Sequence, residues 1–373
     1  MLVFIANWRI MECNILCKAV QALHNRNCET APHTFSNLEH TKKRRRTKIM
    51  KIAFYTTKPY DRIWFEPMAE RYNMELLFLE APCRPNTLNL AAGCDAICIF
   101  INDQITADMI DRLCEMKIKA ILLRSAGFNH VDVEAAKDKI HVLRVPSYSP
   151  EAVAEYATAM LLTVNRFTHR AYTRTRDFNM SINGLMGADL HQKTAGIIGT
   201  GKIGQSMIRI LKGFDMKIYA YDLYPDQSLD VDYVELPELF AKSHVISLHC
   251  PLTKDTYHII DKDAIDNMQQ GVYLINTSRG ALIDTNALID GLLEKKIAGV
   301  GLDVYEEENG VFYEDLSDEI IQDNTLARLM TFPNVLVTSH MGFFTSEAMQ
   351  AIAVETMENA YALEQGKELV NAV

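Results

Sequence analysis

From residue 51 onward the chain alternates two hydrophobic rhythms. Short runs of consecutive apolar, β-prone residues recur: KIAFYT (51–56), AICIFI (96–101), AILLRS (120–125), HVLRV (141–145), TAGIIG (194–199), KIYAYD (217–222), VISLHC (245–250), VYLINT (272–277), AGVGLDV (298–304) and NVLVTSH (334–340). Between them, apolar positions return every three to four residues, the spacing of a helix with one buried face. Runs that are apolar throughout, rather than alternating, suit strands covered on both sides, as in parallel sheets. The pattern predicts an α/β fold with parallel sheets.

Two helices are set by their ends as well as their faces. Ser149 is placed to cap, and Pro150 to open, a long amphipathic helix expected over residues 151–172, so the break between two domains is read at Tyr148, Ser149 and Pro150. A final helix is expected over residues 346–365, burying Met349, Ile352, Ala353, Thr356, Ala360 and Leu363, with Gly366 as its stop. Residues 1–49 follow neither rhythm and end in the basic run Lys42, Lys43, Arg44, Arg45, Arg46. They read as a disordered tail or a gene-start extension, with Met50 as the candidate initiator.

Composition narrows the partners. The 373 residues are 48% hydrophobic and 23% charged, enough for a soluble protein with two cores. No window approaches the roughly 18 consecutive apolar residues of a membrane span, and no convincing signal peptide opens the chain. The formal charge of -10 hides an asymmetry: the first 49 residues carry nine Lys/Arg against three Asp/Glu, which leaves -16 for the remainder. An acidic body argues against nucleic acid as a partner. Eight cysteines without a CxxC pair suggest reduced thiols and a cytoplasmic location.

Gly199-Thr-Gly201-Lys-Ile-Gly204 follows one of the apolar runs and opens a helical pattern. In that context Gly199 permits the tight turn, Gly201 lets the backbone approach a pyrophosphate, and Gly204 allows close packing of helix on strand. The helix N-terminus adds free N–H groups and a partial positive charge. Eighteen residues beyond Gly204, Asp222 ends the next run, where a carboxylate accepts ribose hydroxyls and repels a 2′-phosphate. NAD is expected rather than NADP.

Three charged residues stand at or just past the ends of later runs: Arg279, Glu308 and His340. Reducing a 2-keto acid requires a cation for the carboxylate and carbonyl, and a proton donor for the developing alkoxide. Arg279 suits the first task and His340 the second, since imidazole titrates near neutrality and an adjacent carboxylate, here Glu308, stabilises its charged form. No GxSxG or HExxH segment offers competing chemistry, and no metal site is expected.

The stretches KIAFYTTKPYD, LRSAGFNHVD, RVPSYSPEAVAE, GTGKIGQ, VISLHCPLT, INTSRGALID and DVYEEE together resemble the D-2-hydroxyacid dehydrogenase family, nearest to its bacterial fermentative D-lactate dehydrogenase branch. The resemblance runs from about Met50 to the C-terminus. It implies two Rossmann-like, doubly wound parallel-sheet domains: a discontinuous substrate domain (50–149 and 345–373) and an NAD-binding domain (150–344). It also implies NADH-dependent reduction of pyruvate to D-lactate, with Arg279, Glu308 and His340 as the catalytic set. Ala126 and Gly127 correspond to the backbone cradle for the substrate carboxylate, Tyr148 to a substrate-contacting tyrosine, and Phe343 to the side chain near the substrate methyl. Asp303 is similar to the residue that holds the nicotinamide amide. Lys202 and Ile203, with His249, Cys250 and Pro251 and then Thr277 and Ser278, are expected along the cofactor. Tyr156 stands where the family usually carries His, and SHMGF departs from the usual surroundings of the catalytic His; both bear on fine tuning of the pocket. A homodimer or homotetramer is implied through the NAD domain.

Overall fold

The apolar runs all become strands, and they sort into two sheets. In the first, β1 (Lys51–Phe54), β2 (Glu75–Phe78), β3 (Ala96–Ile99), β4 (Ala120–Leu123) and β5 (His141–Leu143) lie in the order β2-β1-β3-β4-β5. The second comprises β6 (Thr194–Ile198), β7 (Lys217–Tyr221), β8 (Asp232–Tyr233), β9 (Val245–Leu248), β10 (Val272–Asn276), β11 (Ile297–Leu302) and β12 (Val335–Val337). Its order is β12-β11-β10-β9-β6-β7-β8. Every ladder is parallel. Strand order reverses between β1 and β3 and between β6 and β9, and at such points the loops leave in opposite directions and open a crevice at the carboxyl ends. The structure, a computed structural model, describes residues 49–308 and 310–373. The tail expected over residues 1–49 therefore lies, up to residue 48, outside the described residues.

Four differences from the sequence reading have physical causes. The expected strands overrun the observed ones at their carboxyl ends, because Tyr55, Thr56, Phe100, Ser125, Cys250 and Thr277 are buried without being in ladders. They turn into the loops that line the crevice. Strands β2 and β8 are short edge strands, too brief and too exposed to show a run. The long helix expected over residues 151–172 ends at Arg166, and Phe167, left-handed at φ +52°, turns the chain into a separate helix, Thr168–Arg176. The final helix ends at Glu364, one residue before the expected Gln365 and two before left-handed Gly366.

Ser149 does cap the long helix, its hydroxyl accepting from the Ala152 N–H at 3.3 Å. That helix buries Ala154, Ala157, Leu161 and Val164 in one core with Ile197 of β6 and Met207 of the helix Lys202–Gly213. The terminal helix, Ser346–Glu364, returns to the first sheet and places Ile352, Ala353, Met357 and Ala360 against Ile52, Phe54 and Phe65. Among the described residues no helix is long and apolar enough to cross a membrane.

Candidate active site

The glycine loop is shaped by three different constraints. Gly199 turns off β6 at φ +95°, and a Cβ there would lie 2.6 Å from the Cys250 backbone nitrogen. At Gly204 a Cβ would lie 2.0 Å from the Gly199 carbonyl oxygen, so helix and strand meet backbone to backbone. Gly201 differs: nothing lies within 4 Å of where its Cβ would be. The helix N-terminus thus opens onto free space, as an anion-binding turn requires. Asp222 follows β7 directly and accepts from the Thr200 N–H at 2.6 Å and hydroxyl at 3.0 Å, and from the Tyr224 N–H at 2.9 Å. Its carboxylate is held at the rim of this space.

A cavity of about 460 Å³ lies at the carboxyl ends of both sheets. Ala126, Gly127 and Tyr148 line it from the loops after β4 and β5, and Ile203, His249, Cys250, Pro251, Thr277, Ser278, Arg279, Asp303 and His340 from those of the second sheet. Phe343 closes one end with Phe100, their ring centroids 5.9 Å apart. A neighbouring space of about 260 Å³ brings Gly201, Lys202 and Ile203 opposite Tyr148. His249 is half-buried at the cavity wall, and desolvation of its ring pushes its pKa down to about 4, so the imidazole stays neutral beside Ser247 (Nε2 to Oγ 2.9 Å).

Arg279 is placed by the turn after β10. Fully buried Asn276 folds that turn, its amide donating to the Arg279 carbonyl at 2.8 Å and its oxygen accepting from the Ser278 N–H at 3.0 Å. The Ser278 hydroxyl then donates to the Cys250 carbonyl at 2.7 Å, joining the loops that follow β10 and β9. Arg279 Nη1 donates to the Ser278 carbonyl at 2.6 Å, while Nη2 comes within 2.1 Å of where a Cβ on Gly127 would sit. Only glycine at position 127 leaves room for the guanidinium to approach the backbone there.

His340 lies just past β12 with φ +52°, a region non-glycine residues rarely occupy. Its N–H donates to the Asp303 carbonyl at 2.7 Å, and its Nδ1 lies 3.2 Å from Glu308 Oε1. With Nδ1 so engaged, Nε2 is the ring nitrogen left to face a substrate oxygen. Asp303 is almost wholly buried, and its carboxylate folds the loop that carries His340. Oδ1 accepts from the Thr338 hydroxyl at 2.6 Å and the Met341 N–H at 2.9 Å, and Oδ2 from the Gly342 N–H at 2.7 Å. Burial raises the Asp303 pKa, and those three hydrogen bonds oppose the rise. The residue expected at the nicotinamide amide is therefore largely occupied by its own loop, with Oδ2 carrying the remaining acceptor capacity.

Glu306, two residues before Glu308, is engaged elsewhere: Oε1 lies 2.7 Å from His258 Nε2, and Oε2 accepts from the Thr285 hydroxyl at 3.0 Å. The sequence reading passes over Asn276, whose position inside a strand-end motif is the available signal. His130 was missed as well. It lines a space of about 230 Å³ with Arg279, Glu308 and His340, and burial, then the Arg279 charge, lowers its pKa to about 4.

Residues 158–342 match the family model described as D-isomer specific 2-hydroxyacid dehydrogenase, NAD binding domain. The D-lactate dehydrogenase of Escherichia coli is 48% identical over 326 residues, 86% of this chain and 99% of the relative. Its apo structure superposes with a TM-score of 0.80 at 46% identity, over 87% of this chain and 100% of that one. The Aquifex aeolicus D-lactate dehydrogenase, solved with NAD and lactic acid, gives 0.77 at 32% identity, over 86% of this chain and 98% of that one.

Proposed function

Because the chain belongs to the D-isomer-specific 2-hydroxyacid dehydrogenases, and so is an NAD-dependent oxidoreductase, we propose that it interconverts pyruvate and D-lactate. The observation that carries this reading is the convergence of Arg279 and the His340–Glu308 pair on one cavity whose far wall is Phe100 and Phe343. Such a cavity offers a charged end for a carboxylate and a small apolar end for a methyl group.

The space before Gly201 and the cleft beside it fit NAD, with the loop 199–204 at its pyrophosphate and Asp222 at its ribose. The bound cofactor supplies the hydride that is delivered to C2. Arg279 and the backbone at Ala126 and Gly127 hold the carboxylate and polarise the carbonyl. His340, charged and steadied at Nδ1 by Glu308, gives the Nε2 proton to the new oxygen and takes it back in the reverse direction. Residues 50–149 and 345–373 serve as the substrate domain and residues 150–344 as the NAD domain. NADH oxidation against a panel of 2-keto acids, with product chirality determined, tests the reading. The expected result is pyruvate at the highest kcat/KM with D-lactate formed; L-lactate, or clear preference for a bulkier acid, defeats it.

Cofactor choice is assigned to Asp222. Replacing it with Ser while introducing Arg at Leu223 is expected to shift the NADH/NADPH ratio of kcat/KM at least ten-fold toward NADPH, since one charge repels and the other attracts a 2′-phosphate. An unmoved ratio removes Asp222 from this role.

The assembly is assigned to the helix Thr168–Arg176 and the stretch after it. There Tyr172, Phe178, Met180, Ile182 and Met186 are 64% to 92% exposed, a cluster of apolar side chains that suits a second copy of the chain. Phe178→Glu combined with Ile182→Glu is expected to reduce the mass seen by light scattering from a dimer or tetramer to a monomer. An unchanged mass places the interface elsewhere. The free state of the five described cysteines accords with a reducing cytoplasm.

A further inference from the structure

We propose that Tyr313 is a positioning residue for His340, fixing the reach of the proton donor against the wall of the substrate pocket. Its hydroxyl donates to the His340 backbone carbonyl at 2.7 Å. Together with the Asp303 carbonyl on the N–H and Glu308 on Nδ1, this holds the histidine at three points, in a left-handed conformation at φ +52°.

One short turn supplies two of those three holds. The Val311 and Phe312 N–H groups both donate to the Glu308 carbonyl, at 3.1 and 3.0 Å. Phe312 is buried in the core of the second sheet, which anchors the turn. Tyr313, itself left-handed at φ +67°, leads the other way. Its ring meets Phe100 edge to face, with centroids 5.2 Å apart, and stands 6.3 Å from the imidazole. Its carbonyl accepts from Lys58 Nζ at 3.3 Å. Phe100 and Lys58 follow β3 and β1, so Tyr313 ties the second sheet's histidine to the first sheet's pocket wall. Burial raises its pKa, which keeps the hydroxyl a donor.

The inference rests on His340 as proton donor, and single-turnover kinetics separate positioning from folding. With NADH and the fastest 2-keto acid of the panel both saturating, Tyr313→Phe is expected to slow the NADH-oxidation transient about ten-fold or more, since small misplacements of a reacting group carry large rate losses. Its amplitude, which counts competent sites, stays at the wild-type value, as does the NADH Kd. Tyr313→Ala also removes the ring behind Phe100, and is expected to raise the kcat/KM ratio of 2-ketobutyrate to pyruvate several-fold, which Tyr313→Phe does not. An unchanged transient in Tyr313→Phe, or a loss confined to amplitude, overturns the inference. Wild-type protein inactive with every 2-keto acid defeats the functional reading itself, whereas active wild type with an unaltered Tyr313→Phe defeats only the role of Tyr313.

Discussion

His340→Gln is expected to lower kcat about a thousand-fold, the middle of the range for a lost general acid–base group. Glutamine keeps a polar side chain of similar reach but cannot deliver a proton, so the developing oxygen anion must be protonated by water. The loop survives, because its fold depends on Asp303 binding the Thr338 hydroxyl and the N–H groups of Met341 and Gly342 rather than on the imidazole. NADH titration followed by fluorescence should therefore give a Kd within two-fold of wild type. Turnover within ten-fold of wild type would remove His340 from the chemistry.

Arg279→Lys is expected to reduce kcat/KM for the keto acid about a hundred-fold, chiefly through KM. Guanidinium offers a planar fork; ammonium is a point charge with different reach. In this site the difference is sharpened by Gly127, which has no side chain where Nη2 passes, and by the Ser278 carbonyl, which fixes the other arm through Nη1. Lysine can satisfy Ser278 or approach the cradle, but not both in one geometry. Initial rates across a range of pyruvate concentrations measure this, and a KM within three-fold of wild type would show that the carboxylate is held elsewhere.

Much of the site was legible because its residues sit where strands end. A run of apolar residues interrupted by Arg, His or Asp has a mechanical meaning in a parallel sheet: the chain has reached the carboxyl edge, where loops face ligand. That is why Arg279, Asp222 and His340 stood out, and also why the expected strands ran long, since the first residues of crevice loops, such as Phe100 and Cys250, are themselves apolar and buried. Glu308 was distinguishable from its neighbours through the family motif, whereas the pairing of Glu306 with His258 depends on a tertiary crossing that no local pattern encodes. At Gly280 that crossing is tight enough that a Cβ would lie 2.0 Å from the Tyr305 carbonyl carbon. Tyr313 was invisible for a related reason. It lies in an irregular turn, has no periodicity to mark it, and acts on a backbone carbonyl rather than on a side chain.

The return of the terminal helix to the first sheet has a consequence for how the molecule is made. On the ribosome, β1 to β5 emerge first, yet one face of their core stays uncovered until Ile352, Ala353, Met357 and Ala360 arrive. The antiparallel bridge from Leu143 to Ala372 closes later still. The second sheet, by contrast, is built from one uninterrupted stretch of chain, β6 to β12. Synthesis order and completion order are therefore reversed: the sheet begun first is finished last, and its core is closed only after the terminal helix has been made.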